Sequence, residues 1–385
     1  MTDHLTDTIT LLDELIAYPT VSADSNLGMI ASLANRLEDH GAQIELQSDA
    51  TGQKANLFAT FGPERPGGIL LSGHSDVVPA AGDDWTDDPF KMVQRDGRLY
   101  GRGTCDMKGF IAAATTMAPV LGAAARNRPI HLAFTYDEEV GCMGGQALAA
   151  LLATREAKPA VAIIGEPTEM RIIEGHKGCN EYTTHFSGLA GHGSDPAQGV
   201  NAVEYAVRYV SRLLELRHDL IARAPAQGRF TPSWTTLNVG SVYGGVAHNV
   251  IADHAQVQWE IRPVQNSDAD FVHDAMTRHV EDVLLPAMRS VASDAAIVTE
   301  TIGEIAGLTP TNANEARDII MELTGANACD LVAFGTEAGL FQKIGMDVVV
   351  CGPGSIEQAH KPDEYLEIAQ LARCLDMLEG MGAKL

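Results

Sequence analysis

The chain has 385 residues, of which 45% are hydrophobic, and this length exceeds what a single hydrophobic core usually holds. Its formal net charge is −24, from 51 acidic and 27 basic residues. A charge of this sign argues against nucleic acid and against an anionic membrane surface as partners. The composition therefore predicts a soluble protein of more than one domain that binds neither nucleic acid nor membranes.

The cysteines and the apolar stretches predict the cellular compartment of the protein. None of the six cysteines forms a CxxC pair, so we expect a reduced, cytoplasmic protein without disulfides. The first residues lack a basic region followed by an apolar core, so no secretory signal is expected. The longest uncharged stretch, 109–125, falls short of the roughly 20 apolar residues of a membrane span. It is expected to be a helix buried against a sheet.

The first predicted elements alternate between helices and strands. Apolar residues recur at helical spacing from Leu11 to Asp39, with interruptions at Pro19 and Asn26, which predicts two helices. Short apolar runs follow, and several alternate with helical segments such as 107–121. This pattern is typical of an α/β sheet whose strands are buried on both faces. The predicted strands are 55–61, 68–72, 128–136, 160–164 and 347–351.

A different order of elements begins near Cys179. The prediction is strand 180–187, helix 201–221, strands 235–242 and 254–264, helix 268–288 and strand 295–302. This β-α-β-β-α-β order is the ferredoxin-like arrangement. Because a helical pattern resumes at 313–323, we expect an inserted lid or dimerisation domain, residues 177–304. The catalytic domain would be discontinuous, 1–176 plus 305–385, and built as α/β on a mixed, mostly parallel sheet.

Five short segments place residue types that bind metal ions after apolar runs. In open α/β sheets ligands collect outside the carboxyl ends of the strands, where four of these segments fall. So many carboxylates can share one cleft only if cations neutralise them, because an unpaired buried charge is very costly. The segments contain His74 with Asp76, Asp106, Glu138 with Glu139, Glu166, and His360.

Two imidazoles and several carboxylates suit zinc, although cobalt or manganese would also fit. Charge balance favours two divalent ions, so the sequence predicts a two-metal hydrolase. A lone buried His or Glu is more often structural, and 137–139 taken alone is typical of a solvated acidic turn. At such a turn one of the two glutamates, Glu138 or Glu139, can bind metal while the other faces water as a general base. Asp76 lies two positions after His74 and could orient its imidazole.

Five motifs along the chain together resemble the co-catalytic zinc deacylases and carboxypeptidases. The match runs in order over nearly the whole chain. Within this family, 335–339 and 351–364 are most similar to the acetylornithine deacetylase branch. The five motifs are Gly73-His74-Ser75-Asp76-Val77-Val78-Pro79, Gly101-Arg102-Gly103-Thr104-Cys105-Asp106-Met107-Lys108-Gly109, Asp137-Glu138-Glu139, Gly165-Glu166-Pro167-Thr168 and Gly191-His192-Gly193-Ser194-Asp195-Pro196.

The resemblance assigns roles to these residues. It implies that Asp106 bridges two ions, with a cis peptide bond to Met107. His74 and Glu166 would complete one metal site, and Glu139 with His360 the other. It also implies that Glu138 takes a proton from water and returns it to the leaving amine while the metal ions polarise the acyl carbonyl.

Four further residues are assigned by the same resemblance. His192 is expected to steady the developing oxyanion, across the interface of a homodimer; unaided, it would be a surface-loop histidine. Asn249 and Arg262 are expected to bind the substrate α-carboxylate, although Arg262 alone could be an exposed strand-end charge. Glu337 is expected to face a cationic substrate side chain or to support the metal ligands.

The expected reaction is hydrolysis of N-acetyl-L-ornithine to L-ornithine and acetate, a step of arginine biosynthesis. The same chemistry leaves other N-acyl amino acids open, such as N-acetylcitrulline or succinyl-diaminopimelate, and also dipeptides. A non-catalytic metal-binding scaffold is the alternative of another class. Retention of Glu138 beside the metal ligands favours the enzyme, because a scaffold needs no base.

Overall fold

The computed structural model describes residues 2–80 and 84–385 of the chain. Two compact units make up the molecule. Unit 1 comprises Met1–Gly175, Leu308–Leu331 and Thr336–Leu385. Unit 2 comprises His176–Gly307 with the short segment Val332–Gly335.

The helices and strands follow in three groups along the chain. The first is α1 (Thr2–Ile16), α2 (Leu27–Asp39), β1 (Gln43–Ser48), β2 (Ala55–Phe61), β3 (Ile69–His74), β4 (Val93–Arg95), β5 (Arg98–Tyr100), α3 (Gly109–Ala124), β6 (Ile130–Thr135), α4 (Met143–Ala153), β7 (Val161–Pro167) and β8 (Ile173–His176). The second is β9 (Cys179–Ser187), β10 (Gly191–His192), α5 (Ala202–Ala222), β11 (Thr236–Gly244), β12 (Val250–Ile251), β13 (His254–Arg262), α6 (Asn266–His279), α7 (Leu285–Arg289) and β14 (Ala296–Ile305). The third is α8 (Glu315–Thr324), β15 (Asp330–Val332), α9 (Ala338–Lys343), β16 (Asp347–Gly352), β17 (Tyr365–Glu367) and α10 (Ile368–Met381).

The main sheet has eight strands in the order β1-β2-β6-β3-β7-β16-β8-β15. Its central strands β6, β3, β7 and β16 are mutually parallel, and antiparallel pairs join β1 to β2, β2 to β6 and β16 to β8. Strands β3, β6 and β7 are buried along their whole length, as expected for strands covered on both faces. The predicted α/β class with a mixed sheet is confirmed. Because the four central strands are parallel, their carboxyl ends lie at one edge of the sheet.

Helix α3 lies in the middle of the core of unit 1. Its side chains Phe110, Ile111, Met117 and Leu121 are buried, and it packs against α1 and α10. The longer helical stretch Thr104–Ala124, which also contains Asp106 and Lys108, is long and apolar enough to cross a membrane by length and composition. Two thirds of it is buried inside the protein, 67%, which is typical of a core helix. Its apolar surface is therefore accounted for by packing.

Unit 2 has a four-stranded antiparallel sheet in the order β11-β13-β9-β14. With α5 between β9 and β11 and α6 between β13 and β14, this is the ferredoxin-like arrangement that the sequence predicts. Helix α5 packs on β11, β13 and β9, and the core between helix and sheet contains Tyr182, Tyr209, Leu213 and Trp259. Unit 2 therefore has a core of its own.

The elements that sequence patterns did not indicate are mostly short or at the margins. Strands β4, β5 and β17 have three residues each and form a small separate sheet. The helix predicted at 268–288 is interrupted at Val280–Leu284, where the hydrogen bonding widens to a π-type turn. None of the six cysteines forms a disulfide bond in the structure.

Candidate metal centre

Parallel strands bring the predicted ligands of unit 1 to one edge of the main sheet. His74 is the last residue of β3, and Glu166 lies near the end of the neighbouring strand β7. Glu138 and Glu139 follow β6, and His360 lies in the loop after β16. Ligand sites form at this edge of α/β sheets because the strands end there together.

The imidazole of His74 is oriented by a backbone carbonyl. Its Nδ1 lies 2.9 Å from the carbonyl oxygen of Asp76, which can only accept a hydrogen bond, so Nδ1 carries the proton. In the neutral ring the lone pair is then on Nε2, which lies 3.0 Å from Oδ1 of Asp106 and 3.8 Å from Oε1 of Glu166. This tautomer is the one needed to bind a metal ion through Nε2.

The carboxylate of Asp106 lies between the two histidines. Its Oδ1 faces His74, and its Oδ2 lies 3.4 Å from Nε2 of His360. The same nitrogen of His360 lies 3.1 Å from the carboxylate of Glu139. The peptide bond between Asp106 and Met107 is cis, as the resemblance implied. Asp106 therefore has the position of a bridge between two groups of donors.

Asp76 holds the turn that carries the two glutamates. Its carboxylate accepts hydrogen bonds from Ser22 Oγ at 2.7 Å and from the backbone N–H groups of Glu138 at 3.0 Å and Glu139 at 3.3 Å. Its Oδ1 is 3.6 Å from His74 Nδ1, beyond hydrogen-bond distance. The sequence suggested that this carboxylate orients His74. In the structure the backbone of Asp76 does so, because its side chain is engaged by the turn.

The charges of the centre are strongly coupled. Burial and the charge of Asp106 raise the pKa of Glu139 and that of Glu166. Burial also raises the pKa of Glu138 to about 8. Hydrogen bonds to Asp106 and Glu139 raise the pKa of His360 to about 10. Without bound cations, the protein can hold these carboxylates together only by retaining protons.

The donor set fits metal ions. Within the described residues, no Lys or Arg lies within ion-pair distance of Asp106, Glu138, Glu139 or Glu166; their charged neighbours are the two histidines. Two donor groups have ligand atoms within 4.8 Å of one another, and His74 is common to both. Imidazole with carboxylate oxygen is a ligand set of zinc. The two groups are His74 with Glu138 and Glu166, and His74 with Asp106 and Glu139.

Sequence patterns did not reveal a second buried carboxylate behind Asp106. Glu364 accepts hydrogen bonds from the turn that carries Asp106 and from Arg102 Nη1, which lies 2.7 Å from its Oε2. Glu364 lies in the segment 351–364 and Arg102 in the motif 101–109, both of which carry the family resemblance. The available sequence signal for this pair was its spacing: Glu364 lies four residues after His360, and Arg102 lies four residues before Asp106.

Glu337 has different surroundings from those expected. Its side chain is 1% exposed, and its carboxylate accepts hydrogen bonds from Ser72 at 2.5 Å and Thr135 at 2.9 Å. These partners belong to β3 and β6, so Glu337 joins two strands of the sheet. A substrate cation could reach it only by displacing those bonds. We therefore assign Glu337 a structural position instead of a substrate contact.

The remaining predicted residues lie in unit 2. His192 is exposed, and its Nδ1 accepts a hydrogen bond from the backbone N–H of Ser194 at 3.2 Å. Asn249 is exposed, and its backbone carbonyl oxygen accepts a hydrogen bond from the Gly193 N–H at 2.8 Å. Arg262 is half-buried on β13 and donates to Glu260 through Nη2 at 2.9 Å. His192 lies on β10, which pairs with β12, and Asn249 directly precedes β12, so the two residues are neighbours.

Comparison with known proteins gives consistent results. The model of peptidase family M20/M25/M40 matches residues 70–383. An acetylornithine deacetylase of Photorhabdus laumondii is 36% identical over 370 residues, 94% of this chain and 92% of that protein. An M20 family metallo-carboxypeptidase from Sulfolobus solfataricus has a similar structure, with a TM-score of 0.74, 18% identity and 98% of each chain covered. A dinuclear metal binding peptidase of the same family from Bacillus subtilis gives a TM-score of 0.67 at 16% identity, covering 100% of this chain and 99% of that one.

A mixed α/β sheet whose strand ends present two imidazoles and four clustered carboxylates defines a metal-dependent hydrolase. The family match covers most of the chain, and the curated relative covers nearly all of it. The chain belongs to peptidase family M20/M25/M40, and it is a metallohydrolase that acts on amide bonds.

Proposed function

We propose that this enzyme hydrolyses N-acetyl-L-ornithine to L-ornithine and acetate in the cytoplasm, as a step of arginine biosynthesis. The similarity to acetylornithine deacetylases over 94% and 95% of the chain supports the substrate. The observation that carries the chemistry is the carboxylate of Glu138 within 4.8 Å of the ligand atoms of His74 and Glu166. A base beside metal ligands is what amide hydrolysis requires.

The ligand set of the proposed mechanism is drawn from unit 1. His74 and Glu166 would hold one divalent ion, His360 and Glu139 the other, and Asp106 both. We propose zinc, because imidazole and carboxylate together suit it. When bound, the ions supply Lewis-acid polarisation of the acyl carbonyl and acidify a water molecule.

We assign the role of general base to Glu138. The carboxylate of Glu138 accepts a hydrogen bond from the Cys142 thiol at 3.3 Å, whereas the neighbouring Glu139 contacts His360. A thiol is a weak donor that does not neutralise the carboxylate. Glu138 would accept the proton of the attacking water and pass it to the departing α-amine nitrogen, which leaves as the free α-amino group of ornithine.

His192 is proposed to stabilise the oxyanion that develops on the acyl oxygen. Because Ser194 N–H donates to Nδ1, a neutral ring keeps its proton on Nε2 and can donate it in a hydrogen bond. Asn249 and Arg262 are proposed to bind the substrate carboxylate. The guanidinium of Arg262 uses Nε and Nη2 for Glu260, so Nη1 is the group proposed for the carboxylate.

We also propose that the protein is a homodimer that associates through unit 2. Strand β11 is an edge of the unit 2 sheet, and its Tyr243 is 64% exposed. Three exposed apolar residues on α5, which packs on β11, recur every seven positions: Val207, Leu214 and Ile221. A second copy related by a two-fold axis would cover both features, because an edge strand can pair with its own copy.

Light scattering of purified variants tests the dimer. Leu214→Glu should give monomers, whereas Leu46→Glu, an equally apolar and exposed position in unit 1, should leave the dimer intact. A monomeric parent protein would contradict the proposal.

A panel of acylated amino acids tests the substrate. The zinc-loaded enzyme should have its highest kcat/KM for N-acetylornithine, followed by N-acetylcitrulline, succinyl-diaminopimelate and unblocked dipeptides. N-acetylcitrulline has the same three methylene groups but ends in a neutral carbamoylated nitrogen instead of an ammonium group, so it is the control for the side-chain charge. Equal or faster hydrolysis of N-acetylcitrulline would contradict the proposed substrate.

A further inference from the structure

A buried carboxylate lies directly behind the predicted bridging residue of the metal centre. The side chain of Glu364 is 1% exposed, and each of its oxygens accepts two hydrogen bonds. Oε1 accepts from the backbone N–H groups of Cys105 at 2.9 Å and Asp106 at 3.1 Å. Oε2 accepts from the N–H of Gly103 at 3.1 Å and from Arg102 Nη1 at 2.7 Å. All four bonds are donated to Glu364, which is the pattern that an ionised carboxylate satisfies.

The backbone of Glu364 strengthens the same contact. Its carbonyl oxygen accepts a hydrogen bond from Gly101 N–H at 3.0 Å, so the residue is attached to the 101–106 segment through side chain and main chain. Glu364 lies only four residues after His360. The preceding Asp363 is fixed as well, because its carboxylate accepts from the N–H of Thr86 at 2.9 Å. The loop that carries His360 is therefore tied to the turn that carries Asp106.

We propose that Glu364 is a positioning residue that fixes Asp106 and His360 relative to each other, so that the two can share one metal ion. The proposal rests on the metal centre proposed above. Glu364 acts through the backbone of Asp106 and through the chain that connects it to His360; it does not face the ions itself.

The two halves of the centre differ in how their ligands are held. His74 and Glu166 belong to β3 and β7, which are buried strands paired with each other. Glu139 and His360 belong to loops. The N–H of Glu139 donates to the buried carboxylate of Asp76, whereas the loop of His360 is attached through Glu364, whose carboxylate accepts the N–H of Asp106. Loss of Glu364 should therefore weaken the site of Glu139 and His360 more than the site of His74 and Glu166.

Titration of the metal-depleted protein with zinc alone tests this. In Glu364→Gln one carboxylate oxygen becomes an NH₂ group, which repels the N–H donors that it meets. Changes to residues that hold metal ligands typically cost about 10–100-fold in metal affinity. In calorimetry we expect one of the two zinc sites, that of Glu139 and His360, to lose affinity by about that factor. In the cobalt-loaded protein we expect the visible spectrum of the same site to change.

Glu174→Gln is the matched control. Glu174 is also a buried glutamate of unit 1 and also pairs with an arginine, Arg317, at 3.2 Å, but it lies on β8, outside the segments that carry the predicted metal ligands. It should bind two zinc ions with the affinity of the parent protein. An equal loss of affinity in Glu174→Gln would overturn the proposal, and so would unchanged affinity in Glu364→Gln.

A second variant covers the case in which Glu364→Gln does not fold. Glu364→Asp keeps the charge but is one methylene shorter, so it cannot reach both pairs of donors. Its zinc affinity should lie below that of the parent protein, and an unchanged affinity would overturn the proposal. Zinc binding is measured without substrate, so a wrong assignment of N-acetylornithine would leave this result unaffected.

Discussion

Two kinds of side chain build the metal centre: those that face the ions and those that hold the facing ones in place. His74 shows both features, because its Nδ1 proton is committed to the carbonyl of Asp76 and its Nε2 is left for metal. Asp76 in turn accepts N–H groups from the turn of Glu138 and Glu139. The fine geometry of the centre therefore depends on buried acceptors that never touch the substrate.

Replacement of Glu138 by alanine separates binding from catalysis. Glu138→Ala should keep two zinc ions, because other residues supply the proposed ligands, but kcat should fall by about 10²–10⁴-fold with the loss of the base. Metal analysis together with steady-state kinetics gives both numbers. A variant with near-normal kcat would remove Glu138 from the mechanism.

His192 offers a test in unit 2. His192→Ala should lower kcat by about 10²-fold, as expected for the loss of one oxyanion donor. Zinc content should not change, because His192 is proposed to donate to the substrate and not to the metal. Loss of a zinc ion in this variant would instead place His192 among the metal ligands.

The chemical types of the site residues were visible in the sequence, but their contacts were not. The donors of unit 1 could be named because four of their five segments follow a recognisable apolar run. The environment of Glu337 could not, because its hydrogen bonds to Ser72 and Thr135 join residues more than 200 positions apart. For the same reason the contact between Glu364 and the 103–106 turn was missed.

Secondary structure follows the length of each apolar run. Long buried strands such as β2, β3 and β7 match the predicted strands closely, because continuous apolar residues mark a strand covered on both faces. Helix α10 was missed although Leu371, Cys374, Leu375 and Leu378 recur at helical spacing and are buried. The three-residue strands were not predictable, because their pairing depends on distant segments.

Packing between α3 and β7 constrains the residue before Glu166. A Cβ atom at Gly165 would lie 2.0 Å from the ring of Phe110, which is itself buried. Gly165→Ala should therefore destabilise the protein by about 1–3 kcal/mol and weaken zinc binding through displacement of Glu166. Denaturant unfolding and zinc titration measure the two effects.

Gly240→Ala is the control for this substitution. Gly240 also lies in a strand, but its nearest neighbour, the carbonyl oxygen of Gln258, would be 3.7 Å from the new Cβ. It should unfold at nearly the same denaturant concentration as the parent protein. Equal stability of both variants would show that the core near Glu166 relaxes more easily than its packing indicates.

The whole chain forms two units with separate hydrophobic cores. The change from α/β alternation to the β-α-β-β-α-β order made the second unit visible in the sequence. The structure places its limits at His176 and Gly307 and adds the segment Val332–Gly335, which no sequence pattern indicated. A segment of four residues is too short to show a hydrophobic periodicity, so its place in unit 2 could not be predicted.

Acid stability of the fold should depend on a histidine outside the metal centre. Burial and the nearby Arg155 lower the pKa of His131 to about 4. The unfolded chain takes up this proton near pH 6.5, so between about pH 6.5 and 4 the unfolded state binds more protons and stability falls as the pH falls. The full effect is about 3 kcal/mol.

Urea unfolding at pH 7 and pH 4.5, with a chelator present, measures this contribution. His131→Gln removes the titration and retains a polar partner for Thr60, which lies 2.9 Å from Nδ1. The variant should lose less stability than the parent protein between the two pH values. An identical loss in both proteins would show that His131 does not contribute.

The central claim is that His74, Asp106, Glu139, Glu166 and His360 together hold two metal ions. Anomalous diffraction at the zinc absorption edge, from crystals of the zinc-loaded protein, tests it most directly. We predict two peaks on either side of the Asp106 carboxylate, one near His74 and Glu166 and the other near Glu139 and His360. A single peak, or zinc bound away from these five residues, would contradict the account.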